Sequence, residues 1–216
     1  PKASIYLASP ATVALSAIHG CITSPMKSRT GVKYPYHAEQ TASVVIAETD
    51  NRYVNGVWDY HDAHNLNTDQ LFAGNLTYEI NSSQPDKIVP HLLKGFDVSF
   101  SGKAQRGDIL ICGENFGCGS SREHPAAGMA FLGIAAVIVK SVSRIFFRSA
   151  INQGLPILVV PGAVDAYRRG DKVEVDMRQG FIRIGNRNFH FAALPGKMQE
   201  ILETGGLVKA LGRSGT

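Results

Sequence analysis

The chain has 216 residues, 22 Lys and Arg against 18 Asp and Glu, a formal net charge of +4, and 44% hydrophobic residues. That length suits one large domain or a medium domain with an appendage, and the composition is rich enough for a real core. A balance this mildly basic favours anionic ligands but is too weak to argue for nucleic acid, and without a run of about 18 apolar residues nothing spans a membrane.

The first stretch, "PKASIYLASPATVALSAIHG", has one early lysine and no long apolar centre, so it lacks the order of a signal peptide. Starting at Pro1 rather than Met, the chain reads as a fragment or a processed product. Within that stretch, residues 9–20 predict a short amphipathic helix with Ser9 as N-cap, Pro10 at its first position and Gly20 past its end. Polar, irregular text follows to about Asn51, interrupted by the apolar "VVIA" at 44–47, a lone candidate strand. Residues 1–50 are therefore expected to be a helix and linker arm, and 51–216 the compact domain.

From Tyr53 onward the pattern is regular. Strand-like runs fall at 54–60, 108–113 ("DILICG"), 135–139 ("AAVIV") and 157–160 ("ILVV"), with helical patterns near 86–95, 121–132 and 143–153 between them. Strands alternating with helices predict an α/β fold with a mostly parallel sheet flanked by helices. The end changes character: "DKVEVDM", "FIRIG" and "RNFHFAAL" read as a meander of short strands, and a last helix over 195–204 stops at "TGG".

Between the second strand and its helix lies "GENFGCGSSREH", residues 113–124. Gly117 and Gly119 allow torsions closed to other residues and let a ligand approach the main chain. Ser120 and Glu123 have the S-x-x-E spacing of a capping box, and amides at a helix start beside Arg122 would make an anion site. The phosphate-loop pattern fails for want of a lysine before the serine, and the serine-hydrolase elbow fails because G-S-S-R-E is not G-x-S-x-G. A capping box after a tight turn explains the same residues without any ligand. Two serines beside an arginine favour carboxylate binding instead, and amide donors could stabilise a serine alkoxide.

This segment resembles the signature of the small subunit, or swivelling C-terminal domain, of the aconitase and isopropylmalate isomerase family. "SRIFFRSAINQGLP" (143–156) and "DAHNLNTDQLFAGNLTY" (62–78) are similar to two further blocks of that family, in the family's order. The opening "ASIYLASPATVALSAIHGCITSP" resembles the end of the family's large, cluster-binding part, which suggests a piece of a single-chain enzyme. The resemblance implies a swivelling β/β/α domain of a hydro-lyase that isomerises a hydroxy di- or tricarboxylic acid (homoaconitate, 3-isopropylmalate or citrate type) by dehydration and rehydration. It implies Ser120 as catalytic base, Ser121 and Arg122 as substrate-carboxylate ligands, and Asp69, Thr77 and Gly119 as further substrate-binding positions.

The resemblance also implies a four-iron, four-sulfur cluster, held by a large subunit or N-terminal part that is this chain's partner. No cofactor or metal is expected in the chain itself, since Cys112 reads as core and Cys118 has no role assigned. Three cysteines without a C-x-x-C pair argue against a disulfide framework and for a reducing compartment, the cytoplasm or, in a eukaryote, the mitochondrial matrix. His61 and His64, three apart in a loop text, read as structural rather than metal ligands, and His124 as a structural hydrogen-bonding residue. Arg144 and Arg148 share a helix face and are expected to pair with acids. "AGNLTYEI" lacks the arginine of a Y-L-R segment. "G-x-x-T-Y" leans to the homoaconitase type while "GCGSSREH" leans to isopropylmalate isomerases, and the single-chain layout tips the balance slightly to the former. An RNA-binding, non-catalytic aconitase relative is the alternative, but the basic residues are scattered without interleaved aromatics.

Overall fold

The computed structural model describes residues 52–53, 56–192 and 194–213. The helix expected over 9–20, the strand at 44–47, the linker arm and Cys21 lie outside these.

Four strands, β2 (Val57–Tyr60), β3 (Ile109–Cys112), β4 (Ala136–Val139) and β5 (Ile157–Val159), form one all-parallel sheet in chain order. A second, antiparallel sheet has the order β1 (Arg52–Tyr53), β6 (Val173–Asp176), β7 (Phe181–Ile184) and β8 (Arg187–His190). The parallel strands are short apolar runs because both of their faces are covered. Side chains alternate along each strand. Leu110, Cys112, Val137 and Val139 enter a core shared with Leu71, Phe72, Leu92, Met129 and Phe146. Ile109, Ile111, Ala136 and Ile138 enter a separate core with Val173, Val175, Ile182 and Ile184 of the second sheet. The result is the expected α/β layering, with helices on one face of the parallel sheet and the antiparallel sheet on the other.

Helix α4 (His124–Leu132) follows β3 and helix α5 (Arg144–Gln153) follows β4. Ser143 caps α5 by accepting from the Phe146 amide, and Gly154, at φ 81°, ends it. Helix α7 (Gly196–Glu203) stops where "TGG" predicts, but it is not the last helix, since a further one follows at Leu207–Arg213.

Three expectations change. The helix at 86–95 is a single turn, α2 (Pro85–Ile88), running into a 3-10 turn at Val89–His91, because Pro90 cannot donate and Leu93 adopts φ 56°. Of the run at 54–60, the described strand is 57–60, in the first sheet, while residues 52–53, ahead of the run, join the second. Short helices α1 (Thr68–Leu71), α3 (Phe100–Lys103), α6 (Pro161–Ala166) and α8 (Leu207–Arg213) carry too few residues for a readable period.

Burial pushes the Cys112 thiol up, which makes it inert and agrees with its reading as a core residue. Among the described residues no helix is long and apolar enough to cross a membrane.

Gly117 is the tightest point of this scaffold. It has φ +67°, and a Cβ there would overlap the Phe146 side chain. Gly117→Ala therefore combines left-handed strain with overpacking and should cost about 3 kcal/mol. A drop in the melting midpoint of roughly 6–12 °C is expected, and a midpoint within about 2 °C of the parent would contradict it.

Candidate active site

Parallel strands bring their C-terminal ends to one edge of the sheet, and the loops after β2, β3 and β4 meet there. The glycine loop runs between the other two and is joined to both by backbone hydrogen bonds. On one side the Asn65 amide donates to the Glu114 carbonyl (2.8 Å), Gly117 to Leu66 (2.7 Å) and Thr68 to Cys118 (2.8 Å). On the other side Phe116 donates to Ser141 (3.0 Å) and Ser143 to Phe116 (2.9 Å), while the Ser143 hydroxyl donates to the Gly117 carbonyl (2.7 Å).

Beyond Cys118 this pairing stops. Gly119, at φ +101°, turns the chain away, and Ser120 and Ser121 are exposed. The backbone N–H groups of Gly119, Ser120, Ser121 and Arg122 donate to no acceptor among the described residues.

The expected capping box between Ser120 and Glu123 does not form. The helix starts only at His124, with Glu123 as an N-cap that makes no side-chain cap bond. Arg122 accounts for the delay: Nη1 donates to Asp69 Oδ1 at 2.7 Å and to the Phe72 carbonyl at 3.2 Å, which holds the preceding residues out of the helix. The reciprocal cap occurs instead at Asn67 and Gln70, opening α1. Pro125 also lacks one of the N–H groups of the first turn, so the anion-binding capacity resides in the loop amides and Arg122 rather than in the helix start.

Asp69 makes two contacts, accepting from Arg122 and, at 3.1 Å, from the Gly74 amide. The Arg122 guanidinium holds its carboxyl below the usual range, against a smaller opposing effect of burial. A Cβ at Gly74 would lie 2.7 Å from Arg122 Nη2 and 2.8 Å from Asp69 Oδ1, so a larger residue there would push the ends of both side chains aside. With Nη1 committed, Nη2 and Nε of Arg122 meet no acceptor among the described residues.

Ser120, Ser121, Arg122 and Thr77 line one open cleft of about 740 Å3, joined by Asn75, Tyr78, Ser82, Glu123 and His124. Gly119 and Asp69 lie behind that lining. The Thr77 hydroxyl is spent locally on the Gly74 carbonyl (2.6 Å), leaving its oxygen as an acceptor. Tyr78, missed as a site residue, joins this lining and is 92% exposed; its place directly after Thr77 was the available signal. A larger recess, about 1190 Å3, touches this cleft at Ser82 but carries no residue of 113–124.

His61 and His64 do not converge. His61 pairs with Asp59 and Asp62, while His64 Nδ1 accepts from the Glu114 amide at 3.1 Å. Burial pushes the Asp59 carboxyl up, but hydrogen bonds with His61 and Arg169 outweigh it and hold the group low. Among the described residues no cluster of His, Cys, Asp and Glu could hold a metal ion. Cys112, buried at the end of β3, and Cys118, in the loop, do not form a ligand set for an iron–sulfur cluster. Arg144 and Arg148 are exposed and, contrary to expectation, form no ion pair among the described residues, since no acid reaches that face of α5. His124 makes the expected structural hydrogen bond, to the Ile80 carbonyl at 2.9 Å.

The sign of the Asp69 shift sets a pH window. A depressed carboxyl keeps the Asp69–Arg122 contact above the ordinary carboxylate range and loses it as pH falls through the lowered value. The Asp69 side chain is 61% exposed, so solvent screening leaves the pair little weight in folding. Carbon-13 NMR should place the Asp69 midpoint below about 3.9 in the parent and near it in Arg122→Ala. Equal midpoints would remove the electrostatic link.

Residues 31–161, more than half of the chain, match the model of the family described as the aconitase C-terminal domain. The 3-isopropylmalate dehydratase small subunit 1 of Methanopyrus kandleri is 40% identical over 160 residues, covering 73% of this chain and 91% of that protein. The 3-isopropylmalate dehydratase small subunit of Thermodesulfovibrio yellowstonii is 43% identical over 155 residues, covering 71% and 89%. The crystal structure of 3-isopropylmalate dehydratase (leuD) from Methanocaldococcus jannaschii is similar with a TM-score of 0.65 and 34% identity, over 76% of this chain and 95% of that one. The chain belongs to the aconitase C-terminal domain family and is a homologue of the small subunit of 3-isopropylmalate dehydratase, a hydro-lyase.

Proposed function

We propose that the chain supplies the proton-abstracting, carboxylate-binding half of a hydro-lyase that isomerises a hydroxy-dicarboxylic acid of the 3-isopropylmalate class. The relatives favour that acid over the homoaconitate and citrate types. Residues 51–216 are read as the swivelling substrate domain, and residues 1–50 as an arm towards a cluster-bearing partner part.

One observation carries the reading. Arg122 is locked by Asp69 and the Phe72 carbonyl through one nitrogen only, and its remaining donors share a cleft with Ser120 and Ser121. A planar guanidinium with Nη2 and Nε free matches a carboxylate bidentately. The amides of Gly119 to Arg122 have no acceptor among the described residues, and as donors in the segment that carries Ser120 they would, with the Arg122 charge, favour its alkoxide. In the dehydration step Ser120 Oγ takes the proton from the carbon beside the bound carboxylate. The C–H electron pair becomes the double bond, and the hydroxyl leaves from the neighbouring carbon. Activating that hydroxyl falls to the partner part, because this chain's cysteines do not fit a cluster. Rehydration at the other carbon returns the proton from Ser120.

Two measurements test this. The isolated chain should be colourless and without hydro-lyase activity, gaining activity only when a cluster-bearing large part is supplied. Brown colour with stoichiometric iron in the isolated chain would contradict it. In the complete enzyme Ser120→Ala should lower kcat by several powers of ten, on the order of 4 kcal/mol or more, with KM little changed. Since Ser120 caps no helix, its stability should stay within about 0.5 kcal/mol of the parent. Arg122→Lys should also raise KM, a point charge replacing a planar fork. Near-normal turnover in Ser120→Ala would sink the catalytic assignment.

A further inference from the structure

His124 lines the cleft, and its ring makes two contacts outside its own helix. Its Nε2 is 2.9 Å from the Ile80 carbonyl oxygen, and the ring lies parallel to Phe72, with centroids 5.1 Å apart and planes at 10°. Phe72 in turn offers its carbonyl to Arg122. A carbonyl only accepts, so Nε2 carries the proton. His124 Nδ1 is buried and has no hydrogen-bond partner among the described residues. Of the two neutral tautomers, only Nε2–H leaves no buried donor unpaired.

The segment that ends at Ile80 is the loop facing Ser120 across the cleft. Its 3-10 turn, Gly74–Tyr78, is held by local bonds: Leu76 to Ala73 (3.1 Å), Glu79 to Leu76 (3.1 Å) and Ile80 to Leu76 (2.9 Å). Leu76 and Ile80 lean on the helical core, whereas Asn75 and Tyr78 face outward. Among the described residues, the loop's hydrogen bonds to other elements lie at its two ends. At the start, the Gly74 amide donates to Asp69, which is tied to Arg122. At the finish, the Ile80 carbonyl meets His124, two residues after Arg122. Both anchors therefore lead back to the serine–arginine segment, one through a carboxylate and one through an imidazole. A weaker contact, Ser82 Oγ to Glu123 Oε2 at 3.4 Å, lies just beyond the second anchor.

We propose that His124 is a positioning residue that clamps the C-terminal end of the 74–80 loop to the head of α4. By this clamp it sets how closely Asn75, Thr77 and Tyr78 approach the substrate group farthest from Ser120. The part concerning substrate rests on the function proposed above, but the clamp itself does not. Its effect falls on affinity rather than on proton transfer, because His124 reaches neither Ser120 Oγ nor Arg122 directly.

Two substitutions separate the ring from the donor. His124→Phe keeps a ring to stack on Phe72 and removes the N–H, while His124→Gln places an amide N–H near the former Nε2 and removes the ring. In the full chain, hydrogen exchange at the Glu79 and Ile80 amides should quicken about tenfold in His124→Phe, the scale of one lost hydrogen bond, and return to within about threefold in His124→Gln. In the complete enzyme with its cluster-bearing part, His124→Phe should raise KM for 3-isopropylmalate about tenfold with kcat within about twofold. His124→Gln should restore KM. Parental exchange in His124→Phe overturns the clamp, whatever the substrate is. Faster exchange with unchanged KM, or a loss confined to kcat, overturns its role in affinity. Faster exchange in an enzyme whose parent turns over no hydroxy acid upholds the clamp and removes the proposed function instead.

Discussion

The 2.7 Å hydrogen bond from the Gly117 amide to the Leu66 carbonyl is the constraint from which the site follows. It forces the glycine loop to lie flat along residues 65–68, and Ser143 pins the same glycine from the other side. Only a residue without a Cβ can occupy the narrow space over Phe146. Once the loop is fixed there, pairing ends one residue later, at Cys118. The amides of Gly119 to Arg122 are then left without an acceptor among the described residues. On the function proposed above, an anion site arises where regular hydrogen bonding ends, the general origin of such sites at the carboxyl edges of parallel sheets.

Charge then organises what backbone pairing leaves open. Asp69 and Arg122 stand 53 positions apart in the chain, yet their contact fixes the side-chain direction of the arginine and the path of residues 119–123. Exposed pairs of this kind add little to folding, since water competes for both partners. Their value is directional. One guanidinium nitrogen is used and the others are presented in a known plane. Asp59 fills a different role with the same chemistry, more deeply buried and sharing His61 and Arg169, where it ties the end of β2 to the segment after α6. The two carboxylates illustrate how similar groups act as a site component or as a brace according to which loop they terminate.

Much of the scaffold was legible before any coordinates. The runs at 108–113, 135–139 and 157–160 are apolar on both faces, and only strands buried on both sides read that way. Ser143 and Gly154 mark both ends of α5 by capping chemistry that depends on a few adjacent residues. What escaped depends on distance or brevity. The S-x-x-E spacing at Ser120 promised a cap, but Arg122 is drawn to both Asp69 and the Phe72 carbonyl, and the helix starts only after Glu123. The cap formed instead at Asn67, in a four-residue helix whose period is too short to notice. Within the site, motif resemblance named Ser120, Ser121, Arg122, Asp69, Thr77 and Gly119, but the Arg122–Phe72 bond and the stacking of His124 required the fold. Aromatic packing leaves no trace in residue spacing.

The alternation of side chains across the parallel sheet has a wider meaning. Leu110 and Ile111, adjacent in the chain, belong to different cores, and so do Val137 and Ile138. A slip of one residue in either strand would exchange both interiors at once, placing side chains of the wrong volume on each side. The strands are thereby doubly indexed, once by each layer, and insertions there are barred from two directions. The loops at the carboxyl edge carry no such double constraint. Variation can collect in residues 74–80 while the glycine loop keeps its address, and a single scaffold of this design can be retuned for a different acid without being rebuilt.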